Sequence, residues 1–127
     1  MNYDPHALSH YGGSPTRTDA NRLRDKKCTE MLAKFIDVLK RTKEADGSSL
    51  FDHTILSWGT NLRHGHMIKD VPAIVAGGLP SLKMGHSIVL PEEDTPLGNL
   101  WVTLLRQAGV EVDSLGSSTG IVPELLS

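Results

Sequence analysis

The chain has 127 residues, 39% of them hydrophobic, with a formal net charge of -2, one cysteine and six histidines. That length suits one domain or a piece of a larger one. The near-balanced charge argues against a general nucleic-acid binder, the lone Cys28 excludes an internal disulfide or a multi-cysteine zinc site, and no apolar run approaches the roughly 20 residues of a membrane span.

Residues 1–16 read as an irregular opening segment, because Pro5, Gly12, Gly13 and Pro15 interrupt any period. The polar N-terminus shows no secretory signal, so a soluble chain is expected. A single α/β domain is expected over 17–127. It begins with a long helix capped by Thr18 or Asp19 and running to about Ala45. Cys28, Met31, Leu32, Phe35, Ile36 and Leu39 recur at helical spacing and are expected to pack together as one buried face. Nine of the 13 basic residues lie between Arg17 and Lys43. Asp19, Asp25, Glu30 and Asp37 interrupt them and no aromatic platform accompanies them, so this is read as a solvated face. Asp46-Gly47 ends the helix.

Two short apolar runs follow, Thr54–Trp58 and Ala73–Ala76, and both suit strands covered on two faces. Gly77-Gly78-Leu79-Pro80 reads as a turn, and Ser81–Leu90 as a small hairpin bending at Met84-Gly85. Asp94 or Thr95 is the expected N-cap of a second main helix, with Pro96 in its first turn. Leu97, Leu100, Trp101, Leu104 and Leu105 form its apolar face, and Gly109 stops it. Ser114–Gly120 is a Ser/Gly loop, whose Ser117-Ser118-Thr119-Gly120 portion is read as an ordinary turn or, alternatively, as a backbone cradle for an anion.

The polar loop between the two strands carries the chemistry. His64 and His66 form an H-x-H pair, and in extended backbone alternate side chains share a face, so both imidazoles reach one ion. A metal site needs a further ligand, for which Asp70 and His86 are the candidates. Asn61, Arg63 and His10 are candidate site-lining residues. His6 and His10 stand at i, i+4, a spacing that aligns two side chains on a helix. The opening segment is either a loop docked over the site or an ordinary terminus. The bland alternative for the whole loop is a solvated turn whose histidines bond locally.

Several pieces, in order, carry a family likeness. They are Leu8-Ser9-His10-Tyr11-Gly12, Asp52-His53-Thr54-Ile55-Leu56, Gly59-Thr60-Asn61-Leu62, Val71-Pro72-Ala73-Ile74-Val75-Ala76-Gly77-Gly78, Pro96-Leu97-Gly98-Asn99-Leu100 and Ser117-Ser118-Thr119-Gly120. Together they resemble the C-terminal part of the bacterial family called domain of unknown function 1552. That family in turn looks like the alkaline phosphatase and sulfatase superfamily. The resemblance implies the C-terminal lobe of a three-layer α/β/α sandwich, with a mixed sheet and two main helices. It also implies an exported bacterial protein, a missing N-terminal part of the parent domain, and a divalent metal such as zinc or calcium. The activity implied is metal-dependent hydrolysis of phosphate or sulfate esters, with this lobe contributing to the site.

One departure matters. Where the superfamily places a metal-binding Asp-His pair after the strand, this chain has Gly59-Thr60, which cannot replace a carboxylate and an imidazole as metal ligands. The departure motivates the alternative reading, a non-catalytic binding or assembly module that has lost the ligands. A sheet with open edges also leads to an expected homo-oligomer.

Overall fold

The computed structural model describes residues 4–91, 93 and 95–127. Three α-helices and a two-stranded antiparallel sheet make a small mixed α/β domain: α1 (Pro5–Ser9), α2 (Pro15–Arg41), β1 (Ile55–Gly59), β2 (Ala73–Gly77) and α3 (Leu97–Gln107). α1 starts at Asp4, whose carboxylate accepts from the Ala7 N–H, and Pro5 occupies the first helical position. Tyr11–Ser14 turns the chain, and Ser14, rather than Thr18 or Asp19, caps α2, with Pro15 again at the first position. The helix ends at Arg41, before the expected Ala45, because Thr42 leaves the helical region and Lys43 bridges to Ser49.

α2 buries little of its apolar face. Leu32 and Leu39, two turns apart, are covered, whereas Met31 and Phe35 are 69% and 50% exposed. Cys28, expected in that buried face, is exposed as well. The contact stripe is narrow because α1 and the 3₁₀ turn Leu50–His53 are the main elements that lie against the helix among the described residues. That turn carries a reciprocal cap: Ser49 N and Oγ both donate to the Asp52 carboxylate.

β1 and β2 pair from Ile55↔Gly77 to Gly59↔Ala73 and form an antiparallel ribbon joined by residues 60–72. The strands were expected to be covered on both faces. Instead Trp58, Gly59, Ala73 and Ile74 are exposed, since the core covers only the Ile55/Gly77 end. Gly78 lets that end dock closely: a Cβ there would lie 2.4 Å from Asp52 Cα.

α3 supplies the core. Leu100 and Leu104 pack with Leu82, and Ile55, Val75, Leu79, Leu97, Leu125 and Leu126 close around them. Thr95 makes no cap of α3; Pro96 holds the N-cap position, and Asp94 lies outside the described residues. The C-terminus follows the expected glycine stop. Gly109 has φ +81°, its N–H bonds Arg106 O, and the Val110 N–H bonds Leu105 O, the paired bonds of a Schellman motif.

The hairpin expected at 81–90 does not form. Leu82 bridges Leu126, Lys83 N donates to Leu125 O, and Ser127 N donates to Ser81 O. The backbone partners of this stretch come from the end of the chain, which competes with a local pairing. The Ser/Gly loop is tied down too. Asn99, 3% exposed, accepts from the N–H groups of Thr119 and Gly120 at 2.7 and 3.2 Å. Those two donors are therefore committed to the fold rather than offered to an anion.

Candidate metal centre

The loop joining the strands is folded by its own ends. Arg63 and Asp70 form an ion pair at 2.9 Å, and Arg63 N donates to Met67 O at 2.7 Å. Within this closure His64–His66 makes a 3₁₀ turn in which Gly65 and His66 both take left-handed conformations, at φ +64° and +65°. Glycine adopts this region freely, whereas a histidine there is uncommon and costs about 1–3 kcal/mol. The kink breaks the extended geometry expected of the H-x-H pair. His64 and His66 do not face one point; each meets a different part of the opening segment.

His66 meets His6 of α1 and His10, the residue that caps the C-terminal end of that helix. Its Nε2 lies 3.1 Å from His10 Nε2, and its ring centroid is 4.6 Å from that of His10 and 5.4 Å from that of His6. His6 and His10, one turn apart, lie with centroids 4.8 Å apart and rings tilted at 49°. One nitrogen from each of the three rings lies within 4.8 Å of the others. His64 packs on Tyr11 at 4.4 Å between centroids, and its Nδ1–H donates to Ser9 O at 3.2 Å. The backbone carbonyl can only accept, so this contact fixes the proton on Nδ1.

The pKa of His10 is lowered from its ordinary value, first by desolvation and then by the nearby charges of His66, His6 and His64. A neutral imidazole offers a lone pair, which is the form that ligates a metal.

One spacing of the cluster, that between His10 and His66, fits such an ion, while the three nitrogens together lie within 4.8 Å of one another. With zinc–nitrogen bonds of about 2.0–2.1 Å in a tetrahedron, two ligating nitrogens stand about 3.3–3.4 Å apart. The 3.1 Å between His10 and His66 is within a few tenths of an ångström of that figure. The ligand set is imidazole alone, which suits zinc and neighbouring transition metals and not calcium, a cation that takes six or more oxygens.

The other sequence candidates fall elsewhere. Asp70 is committed to Arg63, at φ +50°, and so closes the loop from outside the histidine cluster. His86 Nε2–H donates to Glu124 O at 3.3 Å, beside the C-terminal tail. Asn61 lies at the start of the loop, on a cleft that it shares with Trp101. For His6 the signal in the sequence is its i, i+4 spacing with His10. A second group, Glu44, Asp46 and His53, is fully exposed and explained by its turn. There Ser48 donates to Asp46, and its hydroxyl oxygen is left to accept from His53 Nε2–H at 2.9 Å. No protein-family model, curated protein or solved structure matches this chain.

Proposed function

We propose that this protein binds a divalent transition metal of the zinc class through His6, His10 and His66, with a coordination position left open for hydrolytic chemistry. The observation that carries the proposal is the convergence of three imidazoles from segments far apart in sequence, two of them 3.1 Å apart nitrogen to nitrogen. Structural zinc sites close with four protein ligands, whereas catalytic ones use three. Bound there, the ion supplies Lewis-acid chemistry at the open position. The chain's own part is to hold the rings. α1 and its C-cap present His6 and His10 four residues apart, the left-handed turn at His66 aims the third ring, and His64 anchors Ser9 beside it.

The family likeness supports a finer proposal: the C-terminal lobe of an alkaline-phosphatase-like domain acting on phosphate or sulfate esters, working with the rest of that domain or as a homo-oligomer. A second reading, a non-catalytic metal-binding or assembly module, is favoured by Gly59-Thr60, which offers neither carboxylate nor imidazole where that superfamily carries Asp-His.

Titration with zinc against a chromophoric chelator, and with cobalt(II) followed by its visible absorption, tests the site. One ion per chain and an intense tetrahedral cobalt spectrum are expected. Both should disappear in His10→Ala and in His66→Ala and persist in His86→Ala. Equal binding by the His10→Ala protein would overturn the proposal. Hydrolysis of 4-nitrophenyl phosphate or sulfate by the zinc-loaded protein, abolished by His66→Ala, distinguishes the catalytic reading from the non-catalytic one.

A further inference from the structure

The loop that carries His66 begins beside a cleft of about 360 Å³, lined by Ser57, Gly59, Thr60, Asn61, Leu97 and Trp101 among others. In a chain that is 22% charged, no charged side chain lines this cleft among the described residues. Those lining residues offer an anionic or cationic group no counter-charge.

The lining is amphipathic in a particular way. Trp101 is 37% exposed, while Leu100, Val102, Thr103 and Leu104 around it on α3 are buried. Its indole, carried on a helix anchored by those neighbours, gives the cleft an apolar surface with an open side. The Asn61 amide and the Ser57 hydroxyl have no hydrogen-bond partner among the described residues, so both are available to a ligand. The Thr60 hydroxyl, by contrast, donates to Leu62 O and accepts from Leu62 N, which fixes the bend at the mouth. Gly59 contributes bare backbone: a Cβ there would lie 2.6 Å from Pro72 O, so the strand pair itself requires glycine.

We infer that this cleft binds an uncharged polyhydroxylated ring, a pyranose sugar, whose C–H face stacks on Trp101 and whose hydroxyls meet Asn61 and Ser57. A purely apolar ligand would strip water from the amide and hydroxyl without replacing its hydrogen bonds, at a cost that a sugar avoids. The inference needs no ion at the histidines and stands or falls apart from it.

The full chain is titrated with glucose, galactose, mannose and N-acetylglucosamine, and with adenosine as a non-sugar aromatic comparison, each followed by tryptophan fluorescence and calorimetry. Saturable binding of at least one sugar is expected. Trp101→Phe and Asn61→Ala should each raise Kd by about threefold to tenfold. Trp58→Phe and His66→Ala should leave Kd unchanged, the latter separating this site from the metal centre. Circular dichroism establishes that each variant is folded. Failure of all four sugars to saturate, saturation by adenosine alone, or unchanged affinity in both Trp101→Phe and Asn61→Ala would overturn the inference.

Discussion

Asn99 shows how one side chain organises a region. Its amide oxygen takes two backbone N–H groups from the 119–120 turn, and its nitrogen donates to the Thr119 hydroxyl at 3.1 Å. One helical turn later Thr103, 1% exposed, donates to Asn99 O and accepts from the Val122 N–H at 2.8 Å. The two residues stitch the last loop and tail onto α3. Asn99→Ala strands two donors in a partly buried place, and a loss of about 2–4 kcal/mol in unfolding free energy is expected. Thr103→Val keeps the shape and strands one buried donor, so about 1–3 kcal/mol is expected. Ser118, whose hydroxyl takes the Leu115 N–H in a more open setting, is the control: Ser118→Ala should cost less than about 1 kcal/mol. Urea denaturation of the three variants measures the order.

At the scale of elements, α1 is the piece whose existence depends on its surroundings. Five residues are too few for a helix that is stable in isolation. Leu8 is buried, Arg24 Nη1 donates to Pro5 O at 3.3 Å, and His64 reaches Ser9 O; these contacts hold it down. Under the proposed function, the ion adds a cross-link from α1 to the strand-joining loop. If the amides of Leu8, Ser9 and His10 exchange by undocking, zinc at a hundredfold excess over its Kd should slow them by about a hundredfold. His66→Ala should remove that protection and leave exchange in α3 unchanged. Hydrogen exchange read by mass spectrometry or NMR makes the comparison; equal protection in wild type and His66→Ala would refute a clasp through His66.

The same elements show what was legible in the residues themselves. α2 and α3 announce themselves by periodicity, and the Gly109 stop is a local matter of one positive φ, so these could be read directly. The cap at Ser14 was missed because Thr18 and Asp19 also satisfy the cap preference, and only backbone geometry selects among them. α1 was hidden because its support is tertiary. The 81–90 hairpin was misread because period and turn residues describe local pairing, whereas Leu82 pairs with Leu126. The candidate site was half legible. The loop and His66 stood out from their place after a strand and His10 from the family likeness, yet the H-x-H reading assumed extended backbone. Two successive left-handed residues instead sent His64 to Tyr11 and His66 to α1.

For the whole molecule, the charge states of three groups set how folding responds to acid. Asp46 is held below the ordinary carboxyl range by its hydrogen bonds from the Ser48 side chain and backbone, and Asp52 by those from the Ser49 backbone and side chain. The His10 pKa is lowered by desolvation and by the neighbouring imidazoles. In all three cases the unfolded chain binds the proton more readily, so stability rises with pH wherever the group titrates. The His10 contribution is fully present above its ordinary value of 6.5 and is lost as pH falls through the lower folded value. The two aspartates act the same way further down, with their contribution present above 3.8 and lost as pH falls through their folded values. Urea midpoints of the metal-free protein should therefore fall in two stages on acidification, first in the mildly acidic range below neutrality and again in the carboxylate range. His10→Gln should flatten the first stage and leave the second. Asp52→Asn should lower the midpoint at neutral pH and shrink the second stage, because the cap it makes with Ser49 is then weakened at every pH. A midpoint that rises on acidification through the histidine range would mean that the His10 imidazole is stabilised in its charged form, which the desolvation and neighbouring charges that lower its pKa argue against.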